Sequence, residues 1–448
     1  MHPKHRSIPT HLRAANLLLV ALLLTSACQR QPAAGALTPT VPNQEPGAPA
    51  TPLATPAAPG ASPTPLPPTG QATVRIWHSL SEAELPALVQ VIHSFSAGNP
   101  GVLFDVLYIP AGDLRARYEQ ETLNGTGPTL LLGSAEWGPG LYDAGLIAEL
   151  GGMAGGDLLG RLNAPALESA NYHGILTSLP YAISGVVLYR NKDIMTLNPD
   201  TFEDLAALAQ ASTQGETIGA ILELGFLYSG AHLAGLGGQL MDANGYPAFN
   251  TPAGQAWLAM LADFQRAGPV NYLNNTDLDA FQAGRVGWII DGTWNLPALS
   301  EVLGPELAID PWPSYASGRM SGFVMARNVY LSARAEQMDR EAGWKFVQHL
   351  LSPQAQANLA LAGLIPAARD ATLSSDPESA LIAQAMEALT GGGAYPNSPH
   401  TDLYDLYLNI AIQSHLQNGI PAAQALQTAE NAILAELSAQ EAAPTPAP

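Results

Sequence analysis

Ala72-Thr73-Val74-Arg75-Ile76-Trp77, an amphipathic run over residues 82–97, the turn Asn99-Pro100-Gly101 and a second apolar run over 102–109 decide the fold. The first six residues alternate as a half-buried strand does, while Leu85, Leu88, Val89, Ile92 and Phe95 recur at helical spacing on one face. The Pro-Gly pair then turns the chain into the next strand. A helix over 114–123 and a short buried strand over 129–132 extend the same alternation. The class is therefore α/β, with a parallel sheet covered by helices on both faces and ligands met by the loops leaving the strands' carboxyl ends. Ser79, Ser134, Glu136 and Trp137 fall on those loops.

Downstream, residues 184–188 read as a strand, and Thr201 caps a helix whose first turn holds Glu203 and Asp204, where carboxylates suit the helix dipole. Thr251-Pro252 opens a helix running to 267 and stopped by Gly268. A helical turn at 280–284 leads into a strand over 286–290, which ends at Asp291-Gly292-Thr293-Trp294. Helices are expected over 340–351, 353–362, 381–389, 403–418 and 421–437.

The chain holds one cysteine, Cys28, in Leu24-Thr25-Ser26-Ala27-Cys28. Upstream lie Lys4, Arg6 and Arg13 and an apolar run over 17–24 that is too short to span a bilayer. A lone thiol makes no internal disulfide, and its place directly after a signal core resembles the lipobox of bacterial lipoproteins, in which the cysteine is lipidated and the signal, here 1–27, is removed. Residues 28–71 are rich in Pro, Ala, Thr and Gly with almost no large apolar side chain, so they bury too little surface to offset ordering entropy. A disordered, partly extended and semi-rigid spacer is expected there, and a second short disordered tail over 442–448. Membrane contact is expected through the lipid alone, on the outer face of the cytoplasmic membrane, or in the periplasm or outer membrane of a two-membrane host.

A formal net charge of −20 argues against nucleic acid and anionic membrane surfaces as partners, since both would repel the chain. Enzyme motifs are missing: there is no Gly-x-Ser-x-Gly elbow, no His-Glu-x-x-His helix and no Gly-x-x-x-x-Gly-Lys loop. The histidines are scattered, and His78, beside the first loop, has no second histidine at metal-ligand spacing. Asp242-Ala243-Asn244-Gly245 lacks the spaced oxygen ligands of a calcium loop and reads as a plain turn. Neither metal nor cofactor is expected.

Several short motifs occur in a telling order: Val74-Arg75-Ile76-Trp77-His78-Ser79, Gly125-Thr126-Gly127-Pro128, Asp143-Ala144-Gly145-Leu146-Ile147, Leu179-Pro180-Tyr181-Ala182 and Tyr189-Arg190-Asn191-Lys192-Asp193. Phe281-Gln282-Ala283-Gly284, Asp291-Gly292-Thr293-Trp294 and Trp344-Lys345-Phe346-Val347 before Ser352-Pro353 complete the series. In their order and spacing they resemble the extracellular solute-binding proteins that deliver sugars to ABC importers, the maltodextrin-binding-like group, over residues 72–440. The resemblance implies a two-lobed periplasmic-binding-protein type II fold, with lobes at 72–183 plus 314–372 and 184–313 plus 373–441. Hinge crossings would lie near 183–185 and 309–313. It further implies a carbohydrate ligand enclosed between the lobes, permease subunits as partners, a monomer and no enzymatic activity. A secreted glycan hydrolase and a ligand-sensing or adhesion module are the competing readings.

A pyranose offers C–H groups on one face and hydroxyls at its edge, so its site needs a flat aromatic platform and short polar groups. Trp294 leads as platform, matching the family's Gly-x-Trp, with an ordinary core tryptophan as the competing reading. Trp137 follows; Trp312, between prolines, is either a hinge wedge or a ligand contact. Trp77, Trp257, Trp288 and Trp344 read as core. Ser79, Ser81, Glu82, Ser134, Glu136 and Ser184 match ligand-contacting positions of the family, although Glu82 and Glu136 also suit helix starts. Asp291 binds or caps a turn. Tyr404 and Tyr407 match an aromatic contact, with core packing expected for at least one. Thr129, where the family usually has Asp, and Arg190, where it has an aromatic, depart from the pattern.

Overall fold

The computed structural model describes residues 71–442, apart from 243, 317 and 399. Cys28, the signal segment before it, nearly all of the expected spacer and the tail beyond 442 lie outside the described residues. No described helix is long and apolar enough to cross a membrane.

One large mixed sheet organises the body. Nine of its eleven described strands are β1 (Ala72–His78), β2 (Val102–Tyr108), β3 (Leu130–Ser134), β4 (Leu179–Asn191), β5 (Ile218–Glu223), β6 (Val270–Asn271), β7 (Val286–Gly292), β8 (Leu307–Asp310) and β9 (Phe323–Leu331). They run in the order β2-β1-β3-β9-β4-β7-β5-β6, with β8 also on β4. Pairing is parallel within β2-β1-β3 and within β7-β5-β6, as strand–helix–strand alternation requires. The all-parallel expectation is corrected in the middle: β4 and β9 are antiparallel to their neighbours, because the chain re-enters the sheet there in the opposite direction.

The 13-residue strand β4 joins the two halves. Residues 179–185 pair with β9, whereas 186–190 pair with β7, so the strand changes partner between Gly185 and Val186. Nothing larger than glycine fits at 185: a Cβ would stand 2.2 Å from the Phe323 carbonyl oxygen and 2.5 Å from Leu389 Cδ2. The Gly185 amide, at the changeover, donates instead to Thr293 Oγ1 at 3.0 Å.

Each half has its own apolar core. Val74, Ile76, Leu88, Phe95, Leu132 and Phe346 fill one, and Leu188, Phe202, Trp257, Trp288, Ile290 and Tyr404 the other. A third cluster, with Ile183, Val187, Ile289 and Val324, lies along the changeover beneath the helix Pro377–Thr390. The first helix, Leu85–Gly98, buries Leu88, Ile92 and Phe95 as expected, but turns Ala87 and Val91 inward and leaves Val89 exposed. At its start, Ser81 and Glu84 cap each other reciprocally, the Ser81 amide donating to Glu84 Oε2 at 2.8 Å and the Glu84 amide to Ser81 Oγ at 3.3 Å. Thr201 caps as expected, accepting from the Asp204 amide at 3.0 Å.

The departures from family pattern have local partners. Arg190 forms a two-toothed pair with Asp310, both carboxylate oxygens 2.9 Å from Nε, and Asp310 also accepts from Trp288 Nε1 at 2.9 Å. Thr129 Oγ1 accepts from the Arg75 amide at 3.2 Å and so ties two strands. Asp242 closes a turn, accepting from the amides of Asn244 and Tyr246.

Candidate ligand site

Two cavities open at the carboxyl ends of the strands. The larger, about 350 Å³, lies between β3, β4 and β9 and is lined by Ser79, Ser134, Glu136, Trp137 and Ser184. The structure thus brings together five of the residues singled out by sequence. The smaller, about 210 Å³, holds Asp291 and Trp294 at the end of β7. Ser81, Glu82, Tyr404 and Tyr407 line neither. Ser81 is occupied in the helix cap and Glu82 is exposed outside the cavity. Tyr404 is fully buried, its hydroxyl donating to the Gly245 carbonyl, while Tyr407 leans toward Glu436. Trp312 lines neither cavity: it is packed in the second core, edge-on to His232. His78 is buried with Nδ1 accepting from the Leu80 amide, and burial lowers its pKa.

Sequence reasoning missed several lining groups. Arg327, on β9, reaches the larger cavity and donates to Glu84 Oε1 at 2.7 Å. Burial opposes the Glu84 charge, but the Ser81 amide and the Arg327 guanidinium outweigh it and hold the carboxyl below its ordinary range. The carboxylate tied to a lining residue is therefore Glu84, two residues after the one expected, and both lie in the turn that precedes the first helix. Tyr181, Tyr395 and Asn397 complete the wall. Asn397 donates to the Ser169 carbonyl, leaving Oδ1 buried without a partner. Tyr181 stood in a recognised motif; Tyr395 and Asn397 carried no separable signal.

The smaller cavity gathers Glu223, Asp277 and Asp291, all buried, with Tyr228 and Trp294. The carboxylates are held by neutral donors: Glu223 by the amides of Gly225 and Leu273, Asp291 by the Gly292 amide and Asn295, Asp277 by Asn271. None pairs with Lys or Arg among the described residues. Burial pushes Asp277 up to about 7, with the charges of Glu223 and Asp291 adding to the shift, and Asp291 up to about 6. Glu223 is raised for the same reason. Glu223 ends β5 just as Asp291 approaches the end of β7, so recognising β5 as a strand is the signal that would have found it.

The two tryptophans arrive by the same route. Each strand ends near glycine and runs into a single 3-10 turn, Ala135–Trp137 after β3 and Thr293–Asn295 after β7. Tyr330 pins the first turn by donating to the Ser134 and Ala135 carbonyls, and Thr293 ties the second to Gly185. Trp294 is 44% exposed, whereas Trp288, six residues earlier, is wholly buried. No group of three or more His, Cys, Asp or Glu among the described residues is arranged to hold a metal ion.

Similarity to known proteins agrees with this architecture. The maltotriose-binding protein of Pyrococcus abyssi is 24% identical over 331 residues, covering 69% of this chain and 69% of its own. A maltooligosaccharide ABC transporter solute-binding lipoprotein of Streptococcus pneumoniae is 26% identical over 206 residues, 41% of this chain and 47% of that protein. The extracellular solute-binding protein from Staphylococcus aureus, solved with maltose, superposes with a TM-score of 0.73 at 20% identity, covering 82% of this chain and 98% of that one. This likeness is of fold: a two-lobed α/β architecture. The family model for bacterial extracellular solute-binding proteins, which bind solutes rather than transform them, matches residues 90–386. Over that majority of its length, the chain belongs to the bacterial extracellular solute-binding protein family.

Proposed function

We propose that the protein is the capture lipoprotein of an ABC importer, and that it encloses a carbohydrate, of the maltooligosaccharide kind bound by its named relatives, for delivery to a permease. The carrying observation is the pairing of a tryptophan with at least one carboxylate and neutral polar groups in each of two cavities at the strand ends. Trp294 and Trp137 supply platforms for C–H faces, and Glu136, Asp291, Ser79, Ser134 and Ser184 accept or donate at hydroxyl edges. The unpartnered Asn397 Oδ1 is a further acceptor for a ligand hydroxyl.

In this reading the lobes are 72–183 with 314–372 and 184–313 with 373–441, and the partner change in β4 at Gly185–Val186 is one hinge crossing. A strand shared by both halves absorbs closure through small dihedral changes. Lipid on Cys28 keeps the body at the outer face of the membrane.

A thermal-shift screen against maltose, maltotriose, longer maltodextrins, galactooligosaccharides and non-sugar solutes tests the reading. A sugar at a hundredfold its Kd adds about 2.7 kcal/mol and raises the melting temperature visibly. A shift produced only by a non-sugar solute defeats the carbohydrate assignment.

A further inference from the structure

Both tryptophans that line the cavities rest on a glycine. A Cβ built on Gly292 would lie 2.0 Å from Cε2 and from Cζ2 of Trp294 and 2.3 Å from Cδ2. One on Gly133 would lie 2.3 Å from Cζ3 and 2.5 Å from Cε3 of Trp137. Carbon atoms attract at about 3.5–4.0 Å and clash well inside it, so each indole occupies the space of the side chain its glycine lacks.

Backbone conformation is not the reason for these glycines. Gly292 has φ −83° and ψ 148°, open to any residue, and Gly133 is absent from the positive-φ positions. Core packing is not the reason at 292 either. Trp288 is held on all sides, but Trp294 is 44% exposed, with Tyr228 as a tilted ring neighbour 6.4 Å away. With so little around it, the indole is located largely by the bare strand end beneath it.

We propose that Gly292 and Gly133 are positioning residues: by carrying no side chain, each seats an indole against the end of its strand and leaves ring surface outward as a preformed platform for the ligand. The proposal rests on the reading of Trp294 and Trp137 as ligand contacts. A seated ring has lost its rotamer freedom before the ligand arrives, and preorganisation of this kind converts directly into affinity.

The full chain labelled with 5-fluorotryptophan and followed by ¹⁹F NMR tests the seat without ligand, W294A assigning the resonance. G292A is expected to move the Trp294 signal while leaving that of Trp288 in place. With maltotriose as probe, G292A is expected to weaken binding at least tenfold, yet to add no loss in the W294A background, because it acts only through that ring. G133A should behave likewise toward Trp137. If G292A misfolds, adding W294A should restore folding by removing the clashing ring, and failure to restore it overturns the proposal. An unmoved Trp294 resonance, or an equal loss from G292A with and without Trp294, also overturns it. Should the wild type ignore maltotriose, the maltooligosaccharide reading falls, and the ligand-free resonance alone decides the seat.

Discussion

At the residue scale, Trp288 and Trp294 stand six positions apart, the first wholly buried and the second part of a cavity wall. Trp294→Ala removes ring surface from the cavity while leaving β7 and both cores intact, so affinity for the sugar is expected to fall by about 2 kcal/mol or more, roughly thirtyfold, with the ligand-free melting temperature nearly unchanged. Trp288→Ala is the control. It empties a fully buried site and deprives Asp310 of a donor, and denaturant titration should register a loss of about 3–5 kcal/mol. If Trp294→Ala unfolds the protein instead, the ring is structural. Asp277 makes a separate prediction. Its pKa in the fold, about 7, lies above the ordinary Asp value of 3.8, so between those values the folded state binds more protons than the unfolded one. Stability from this group is then full below about pH 4 and lost as pH rises through about 7. Asp277→Asn, which can still accept from Asn271, should remove that slope: its melting temperature relative to wild type should climb from pH 4 to pH 8. A pH-independent difference would refute the assignment.

At the scale of elements, the decisive object is β4, whose halves serve different neighbours. Where a strand changes partners, one amide falls outside both ladders, and here it is that of Gly185, satisfied by the Thr293 hydroxyl. Thr293→Val keeps the shape but strands a buried donor, so a loss of about 1–3 kcal/mol is expected in urea unfolding. Thr201→Ala, at a helix cap, should cost about 1 kcal/mol and leave ligand affinity alone. Because Thr293 sits between Gly292 and Trp294, its replacement should weaken sugar binding as well; a pure stability loss would separate the changeover from the platform. Sequence marked 184–188 as a strand and missed its true span, Leu179–Asn191, since the run is apolar nearly throughout and shows no alternation to count.

For the whole molecule, the expected export and tethering are tested at Cys28, outside the described residues. Cys28→Ser should move the protein from the membrane fraction to the medium or periplasmic fluid, while retention on the membrane would count against lipid attachment. The sequence by itself determined what depends on neighbours along the chain: the alternation of strand and helix, the Thr201 cap, the buried Trp257 and Trp288, and the strand-end loops that carry Ser79, Ser134, Trp137 and Trp294. Those features follow from periodicity and local hydrogen bonding, which a linear chain displays. Tertiary structure alone decided which side chains share a cavity. Arg327 meets Glu84 across 243 positions, and Asn397 reaches Ser169 across 228. Glu84 rather than Glu82 meets Ser81 and Arg327, and Tyr404, expected from sequence as a ligand contact, is buried in the core. Long-range pairing of this kind depends on the crossing of β4 and β9 through the sheet, a relation in space that no stretch of sequence contains.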